Sequence, residues 1–181
     1  MTIETETARR KVKRVYFADG GDGHAYAETP HGMAIIDIAD LEEVKKINWY
    51  WRPPKGLHTA RIVGFSDLRG VDLGRFLIEP IPEGMFVDHI NRNALDNRRS
   101  NLRHCTHAEN MRNRPGSSNR KSKYKGVYKC RGRWRAEISH NGKKFRLGAF
   151  NNAEKAARAY DAAAIKLHGD FARTNTSMGL L

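Results

Sequence analysis

The chain has 181 residues, 39% of them hydrophobic, and a formal net charge of +13, which allows one or two small domains and excludes a single large catalytic barrel. No apolar run approaches the ~20 residues of a membrane span, and the first ten residues lack a signal peptide's apolar stretch, so we expect a cytoplasmic protein with no membrane partner. Two cysteines, Cys105 and Cys130, cannot build a disulfide framework or a Cys₄ zinc site.

Residues 1–80 contain short β-prone runs separated by Gly, Asp and Pro, which predicts a small α+β scaffold. The runs are residues 14–17, 33–36, 49–51 and 60–63. A helix is predicted over residues 39–47, and Asp72 is a candidate N-cap of a shorter helix. The segment 19–23 is rich in Asp but lacks the later Glu of an EF-hand, so it predicts a turn. The aromatic side chains are expected in the core rather than as base-stacking platforms.

The stretch from residue 85 to residue 114 predicts a strand, a loop and a helix. A β-prone run at residues 85–87 leads into Asp88 and His89. Residues 91–101 are rich in Asn, Asp and Ser, which predicts a loop held by bonds from side chains to the backbone. A capping box over residues 106–109 begins a helix that carries Asn110.

These residue types favour metal-assisted hydrolysis. Asp88 and Asn110 offer two hard oxygen donors, which suit Mg²⁺ or Mn²⁺ and suit zinc poorly. His89 beside them could accept a proton from water near neutral pH. Taken alone, the pair formed by Asp88 and His89 could simply be a polar strand end, and it is the combined pattern that favours a site.

This stretch resembles the catalytic motif of HNH endonucleases, in particular the phage and intron homing type, whose active unit is a ββα fold around one divalent metal ion. The resemblance implies that Asp88 and Asn110 bind the metal and that His89 is the general base. It also implies that Asn101 braces the loop and orients the histidine. The third motif position is Asn110 rather than the His that names the motif, which leaves the metal preference open.

Other polar residues of this stretch have two readings. Arg98, Arg99 and Arg103 could be solvated surface groups or could contact phosphates near the scissile bond. His104 and His107 bracket Cys105, but no fourth ligand of suitable type is near, so we do not expect zinc there.

The whole excess of positive charge lies in the C-terminal part of the chain, from residue 112 onward. Residues 1–111 hold 16 basic and 16 acidic side chains, whereas residues 112–181 hold 17 basic and 4 acidic ones. A neutral front and a basic back favour a polyanion bound mainly by the back half. Residues 112–123 combine Pro, Gly and Ser with basic residues, which predicts a linker, either plainly flexible or lying along a nucleic-acid backbone.

Residues 124–175 predict three antiparallel strands and one helix. Alternating apolar positions indicate strands at residues 133–139 and 143–147, with Asn141 and Gly142 at the hairpin tip and an earlier strand at 124–129. In the second of these strands, Phe145 and Leu147 are expected to face inward. An alanine-rich helix should run from about residue 153 to His168, pack on the sheet and leave a cationic outer face.

This part is similar to the plant ethylene-response-factor (Apetala-two) DNA-binding domain. The similarity lies in four short sequence motifs, at residues 124–127, 134–138, 146–148 and 156–163. The shorter first hairpin, residues 130–132, lacks that family's Trp, so its base preference is not carried over. The positions that the resemblance places against DNA are Lys125, Arg133, Arg135, Glu137, Lys144 and Arg146. The alternative is a solvated sheet face.

The sequence therefore predicts an α+β protein with a scaffold and HNH domain at residues 1–111, a linker at 112–123, a three-stranded sheet packed on one helix at 124–175 and a tail at 176–181. The expected function is metal-dependent cleavage of double-stranded DNA, as a nick or a double-strand cut, by a monomer or dimer in a bacterial or phage-infected cell. The alternatives are a non-catalytic DNA-binding regulator with a relic HNH domain and, ranked lowest, an RNA-binding protein, which should display stacking aromatics.

Overall fold

The computed structural model describes residues 13–52, 61–66, 69–113 and 122–181. The described residues form two compact units, one made of those within Met1–Glu83 and Val87–His104 and the other of those within Gly84–Phe86 and Cys105–Leu181. Both units combine antiparallel sheet with helix, which confirms the α+β class. Most of the expected linker, residues 114–121, lies outside the described residues.

Two antiparallel sheets build the scaffold of the first unit. One has the order β1-β5-β6-β7, and the other is the meander β2-β3-β4. The bounds are β1 Lys13–Val15, β2 Ala18–Asp19, β3 His24–Thr29, β4 Gly32–Asp37, β5 Trp49–Arg52, β6 Arg61–Ser66 and β7 Arg69–Asp72. The turn predicted between β2 and β3 is present, and the Asp19 carboxylate accepts the Gly21 N–H at 2.8 Å there.

Aliphatic and aromatic side chains from both sheets share one core. The largest fully buried members include Trp49, Ile36 and Ile62, and the Trp49 Nε1 donates to the Val44 carbonyl at 2.7 Å. The core placement of aromatics is confirmed for Trp49 and Trp51, whereas Tyr16 and Phe65 are exposed.

Two short helices close the scaffold. The first, α1 Leu41–Lys45, is shorter than predicted because a 3₁₀ turn, Ile38–Asp40, precedes it. The second is α2 Leu73–Leu77, and the Asp72 carboxylate accepts the Gly74 N–H at 3.2 Å, which confirms the predicted N-cap.

A hairpin and a helix follow. The strands are β8 Phe86–His89 and β9 Leu102–Cys105, and the helix is α3 His107–Arg112. The predicted capping box is confirmed, since the Thr106 Oγ1 accepts the Glu109 N–H and the Glu109 carboxylate accepts the Thr106 N–H. The hairpin lies largely in the first compact unit and α3 lies in the second. The sequence predicts a single domain over residues 1–111.

The second unit is a sheet with a helix on one face. Its strands are β10 Val127–Cys130, β11 Arg133–His140 and β12 Lys143–Phe150, in that order, and its long helix is α4 Ala153–His168. Asn141 and Gly142 both have positive φ, 50° and 74°, as the predicted hairpin turn requires. The core joins Val127, Ala136 and Ile138 of the sheet to small residues of α4.

A strand boundary and the exposure of one side chain in this unit differ from the sequence prediction. The first strand begins at Val127 rather than at residue 124, although Tyr124 is buried in the core. Phe145 pairs with the buried Ile138 and so lies on the inner face as predicted, but its side chain is still 42% exposed. It lies on the edge strand β12, and the register of β11 with β12 shifts between Ala136 and Glu137.

Gly126 packs against the core face of α4 with φ at 72°, and a Cβ there would overlap the Tyr160 ring. Gly126→Ala is therefore expected to destabilise the protein by about 1–3 kcal/mol in urea denaturation, through overpacking in addition to backbone strain. The control is Gly132→Ala, where φ is 77° but no described atom lies within 4 Å of an added Cβ. Equal losses for both variants would show that the Tyr160 contact contributes nothing.

Candidate active site and DNA-binding face

The loop between β8 and β9 is held by its own polar side chains, as predicted. The Asn101 side chain is 8% exposed; its Oδ1 accepts the Asn91 N–H at 3.0 Å, and its Nδ2 donates to the Asp96 carbonyl at 2.7 Å. Asn91 and Asn93 in turn accept backbone N–H groups two residues onward at 2.8 and 3.1 Å. Asn101 therefore braces the loop that follows His89.

The loop is also bonded to the scaffold. The Ile35 N–H donates to the Leu95 carbonyl at 2.9 Å, and the Asn97 N–H donates to the Ile35 carbonyl at 2.8 Å. The Arg99 N–H donates to the Asp37 carboxylate at 2.8 Å. Strand β4 thus supports the loop between β8 and β9, a role for the front of the chain that its sequence did not indicate.

Asp88 is 7% exposed and is paired with Arg103 across the hairpin. Its Oδ2 accepts from the Arg103 Nε at 3.0 Å and from Nη2 at 2.8 Å. Two hydrogen bonds from one guanidinium hold this carboxylate in one orientation.

The His89 imidazole contacts Asn97, which is 1% exposed, and Nε2 lies 3.1 Å from the Asn97 Oδ1. The Asn97 Nδ2 donates to the Ala94 carbonyl at 3.2 Å, so the amide oxygen is the atom that faces the histidine. An amide oxygen can only accept a hydrogen bond, and Nε2 must therefore carry the proton. In neutral His89 the lone pair is then on Nδ1.

Asp72 lies close enough to His89 for their charges to interact. Burial raises the pKa of the Asp72 carboxyl, and the charges of His89 and Arg61 oppose this rise. The sequence marked Asp72 only as a helix cap and did not single out Asn97 from its Asn-rich loop. No short-range pattern could have found either contact with His89.

Each of the three arginines considered for phosphate contacts is paired with a carboxylate of the protein. Arg98 binds Asp96 through Nε and Nη2 at 2.8 and 2.7 Å, and Arg99 binds Asp40 with its closest contact at 2.7 Å. The hydrogen bond from Arg98 is the main reason that the pKa of Asp96 is lowered. Arg99 therefore ties the loop to the scaffold, Arg98 makes a bond within the loop, and Arg103 joins the two strands of the hairpin.

Arg103→Met is expected to destabilise the protein by about 3–5 kcal/mol, because it leaves the buried Asp88 carboxylate without its cation. Urea denaturation in the presence of chelator measures this loss. The control is Lys45→Met, which removes an exposed ion pair with Glu42 and is expected to cost at most about 1 kcal/mol. A loss for Arg103→Met no larger than the control would contradict the structural importance of the buried pair.

Asn110 lies on α3, half-buried, and its N–H donates to the Thr106 carbonyl at 3.0 Å. It belongs to the second unit, whereas Asp88 and His89 belong to the first. No cluster of three or more His, Cys, Asp or Glu able to hold a metal ion occurs in the described part of the chain. The expected ligand set differs from such a cluster, since it joins one carboxylate to one amide.

The residues at the end of β9 and the start of α3 make separate contacts. The His104 Nε2 donates to the Ile78 carbonyl at 3.0 Å, and Cys105 is fully buried. The His107 ring is exposed and contacts Phe86 edge-on.

The sheet of the second unit has one cationic face. Because Ala136 and Ile138 are buried toward α4, the alternate residues of β11 and their partners on β12 lie on the opposite face. Lys144 is 73% exposed, with its Nζ 3.6 Å from the Glu137 carboxylate. The candidate DNA contacts on this face, called the cationic face below, are Arg133, Arg135, Glu137, Lys144 and Arg146.

Lys125 was also expected to contact DNA, but it precedes β10 and is half-buried. Its Nζ donates to the carbonyl of Arg112, the last residue of α3, at 2.7 Å.

Comparisons with known proteins match two separate stretches of the chain to two families. The profile of the HNH endonuclease family matches residues 80–112, and that of the AP2 domain matches residues 122–170. The chain is 36% identical over 149 residues to an uncharacterized HNH endonuclease, L560, of Acanthamoeba polyphaga mimivirus; the match covers 79% of this chain and 74% of the viral protein.

Plant relatives match the second unit. APETALA2-like protein 2 of Oryza sativa subsp. indica is 50% identical over 58 residues, 31% of this chain and 13% of the rice protein. Ethylene-responsive transcription factor ERN1 of Medicago truncatula is 47% identical over 68 residues, 36% of this chain and 25% of that protein. Among the described residues, no helix is both long and apolar enough to span a membrane.

Proposed function

Because this chain belongs to the HNH endonuclease family and carries an AP2-type DNA-binding domain, we propose that it is a metal-dependent endonuclease of the homing type acting on double-stranded DNA. It hydrolyses a phosphodiester bond, as a nick or a double-strand cut, and leaves 5′-phosphate and 3′-hydroxyl ends. The observation that carries this proposal is the His89 imidazole, adjacent to the buried Asp88 and bonded through Nε2 to Asn97.

His89 is the general base. The contact of Nε2 with the Asn97 Oδ1 holds the imidazole in one orientation, and the ring accepts the proton of the attacking water. The bond to Asn97 strengthens when the imidazole gains a proton, because the donor then carries positive charge.

Asp88 and Asn110 are the proposed metal ligands. Their oxygens fit a hard divalent ion such as Mg²⁺ or Mn²⁺, with water and a substrate phosphate completing the coordination. When bound, the metal supplies positive charge that stabilises the phosphate and the leaving 3′ oxygen. Arg103 orients the Asp88 carboxylate through two hydrogen bonds to its Oδ2.

The experiment that tests the proposal is incubation of the full chain with supercoiled plasmid and with candidate genomic DNA, in the presence of Mg²⁺, Mn²⁺ or chelator. We expect nicked or linear products with either metal and none with chelator, and sequencing of the ends should give 5′-phosphate and 3′-hydroxyl groups. Tight DNA binding without cleavage under every metal condition would instead favour the non-catalytic regulator.

A further inference from the structure

The last turn of α3 is bonded to the AP2-type module, meaning β10–β12, α4 and the chain up to Asn175. The Lys125 Nζ donates to the Arg112 carbonyl at 2.7 Å. In the opposite direction, the Arg112 Nη2 donates to the Asn141 Oδ1 at 3.2 Å, at the tip of the β11–β12 hairpin. Two side chains therefore connect α3 to separate places on the module.

Lys125 is itself firmly held. Its N–H donates to the Asn175 Oδ1 at 2.7 Å, and the Asn175 Nδ2 donates back to the Lys125 carbonyl at 3.2 Å. Asn175 is fully buried, and both its N–H and its Nδ2 donate to the Asp161 carboxylate of α4 at 2.7 and 2.8 Å. A chain of hydrogen bonds thus runs from the middle of α4 through Lys125 to the end of α3.

This bond matters because α3 is short. A helix of six residues has little stability of its own, and its last carbonyls lack partners within the helix. An ammonium group at the C-terminal end satisfies a carbonyl and interacts favourably with the helix dipole. The next residue, Asn113, is only 5% exposed, so the end of α3 is packed as well as bonded.

We propose that Lys125 is a positioning residue: it fixes α3, and with it Asn110, to the DNA-binding module, so that the module also holds the second metal ligand. Asn110 lies two residues before the carbonyl that Lys125 binds. This inference rests on the proposed function only for the role of Asn110. The bonds from the module to α3 can be tested without metal or DNA.

The test is Lys125→Met, which keeps the aliphatic stem and removes the charge. In the free protein, we expect hydrogen exchange of the α3 amides to become about 10-fold faster, the effect of losing one charged hydrogen bond. Affinity for a labelled DNA duplex should stay within about twofold, with an unchanged salt slope, because no phosphate contact is lost. At saturating DNA, the turnover number should fall about 10-fold, and more Mn²⁺ should be needed for half-maximal activity, with KM for DNA unchanged.

Three further variants sharpen the comparison. Lys125→Arg, which restores a cation, should recover much of the lost protection in α3. Asn141→Gly removes the acceptor of Arg112 but tolerates φ at 50°, and it should also accelerate exchange in α3. The matched control is Lys144→Met on the cationic face, which should reduce the salt slope by about 0.9 and leave α3 exchange unchanged.

The proposal is overturned if Lys125→Met weakens DNA binding, lowers the salt slope by about 0.9 and leaves α3 exchange as in the natural chain, since Lys125 would then be a phosphate contact. Unchanged exchange together with unchanged turnover overturns it equally. If the natural chain does not cleave DNA, the proposed function fails, while hydrogen exchange still decides whether Lys125 holds α3.

Discussion

His89→Ala is expected to slow Mg²⁺-dependent cleavage by about 10²- to 10⁴-fold, the usual contribution of a general base. DNA affinity should stay within about twofold, since the cationic face lies in the other unit and is unaltered. Single-turnover cleavage of supercoiled plasmid at saturating enzyme measures the chemical step, and a binding titration in chelator measures affinity. Raising the pH should recover part of the rate, because hydroxide replaces the missing base.

The control for this variant is His107→Ala, which removes an exposed imidazole outside the proposed machinery. Its cleavage rate should match that of the natural chain. A second comparison is Asn97→Leu, which removes the acceptor of the Nε2 proton, and this variant should also lose activity without losing DNA affinity. Turnover of His89→Ala equal to that of the natural chain would refute the assignment of the base.

Neutralising the cationic face is expected to weaken DNA binding in a salt-dependent way. The triple variant Arg135→Gln, Lys144→Gln and Arg146→Gln removes three candidate phosphate contacts, and each contact contributes about 0.9 to the slope of log K against log salt. The slope should therefore fall by about 2.7, with a loss of affinity of about 10²-fold or more near 0.1 M salt. Fluorescence anisotropy of a labelled duplex over a salt series gives both quantities.

The matched control removes three cations from the exposed side of α4, through Lys155→Gln, Arg158→Gln and Lys166→Gln. It changes the net charge by the same amount but leaves the sheet intact, so its slope should change little. Equal slopes for the two triple variants would mean that net charge, rather than the cationic face, determines binding. The cationic face would then not be the surface that brings DNA to the HNH domain.

The sequence was sufficient for the local elements. The capping box over residues 106–109 and the N-cap Asp72 depend on groups two or three positions apart, and the turn at Asn141 and Gly142 depends on its own backbone. Such signals involve only groups within one turn of the chain, so they can be recognised without knowing the tertiary structure. The strand of residues 133–139 was likewise readable from its alternation, because one face is buried and the other is not.

The partners of the charged side chains were decided by tertiary structure. Arg99 pairs with Asp40, 59 positions away, and Lys125 binds the carbonyl of Arg112, although both cations had been considered for DNA. The sequence shows that a cation is present, but only packing determines which carboxylate or carbonyl lies within reach of it. The buried Asp40 carboxylate is stabilised by such a partner, whereas a buried charge without one would be strongly disfavoured.

At the candidate site, too, the sequence indicated the residue types and the tertiary structure decided their partners. Residue types in the sequence indicated Asp88, His89 and Asn110 for metal-assisted hydrolysis, and the family resemblance added Asn101 as a brace of the loop. Only the folded loop placed the Asn97 oxygen against the His89 Nε2, because the direction of that amide depends on a backbone carbonyl in the same turn. The sequence therefore determined which chemical groups are available, and the tertiary structure determined which partners hold them, because hydrogen bonds require specific distances and directions.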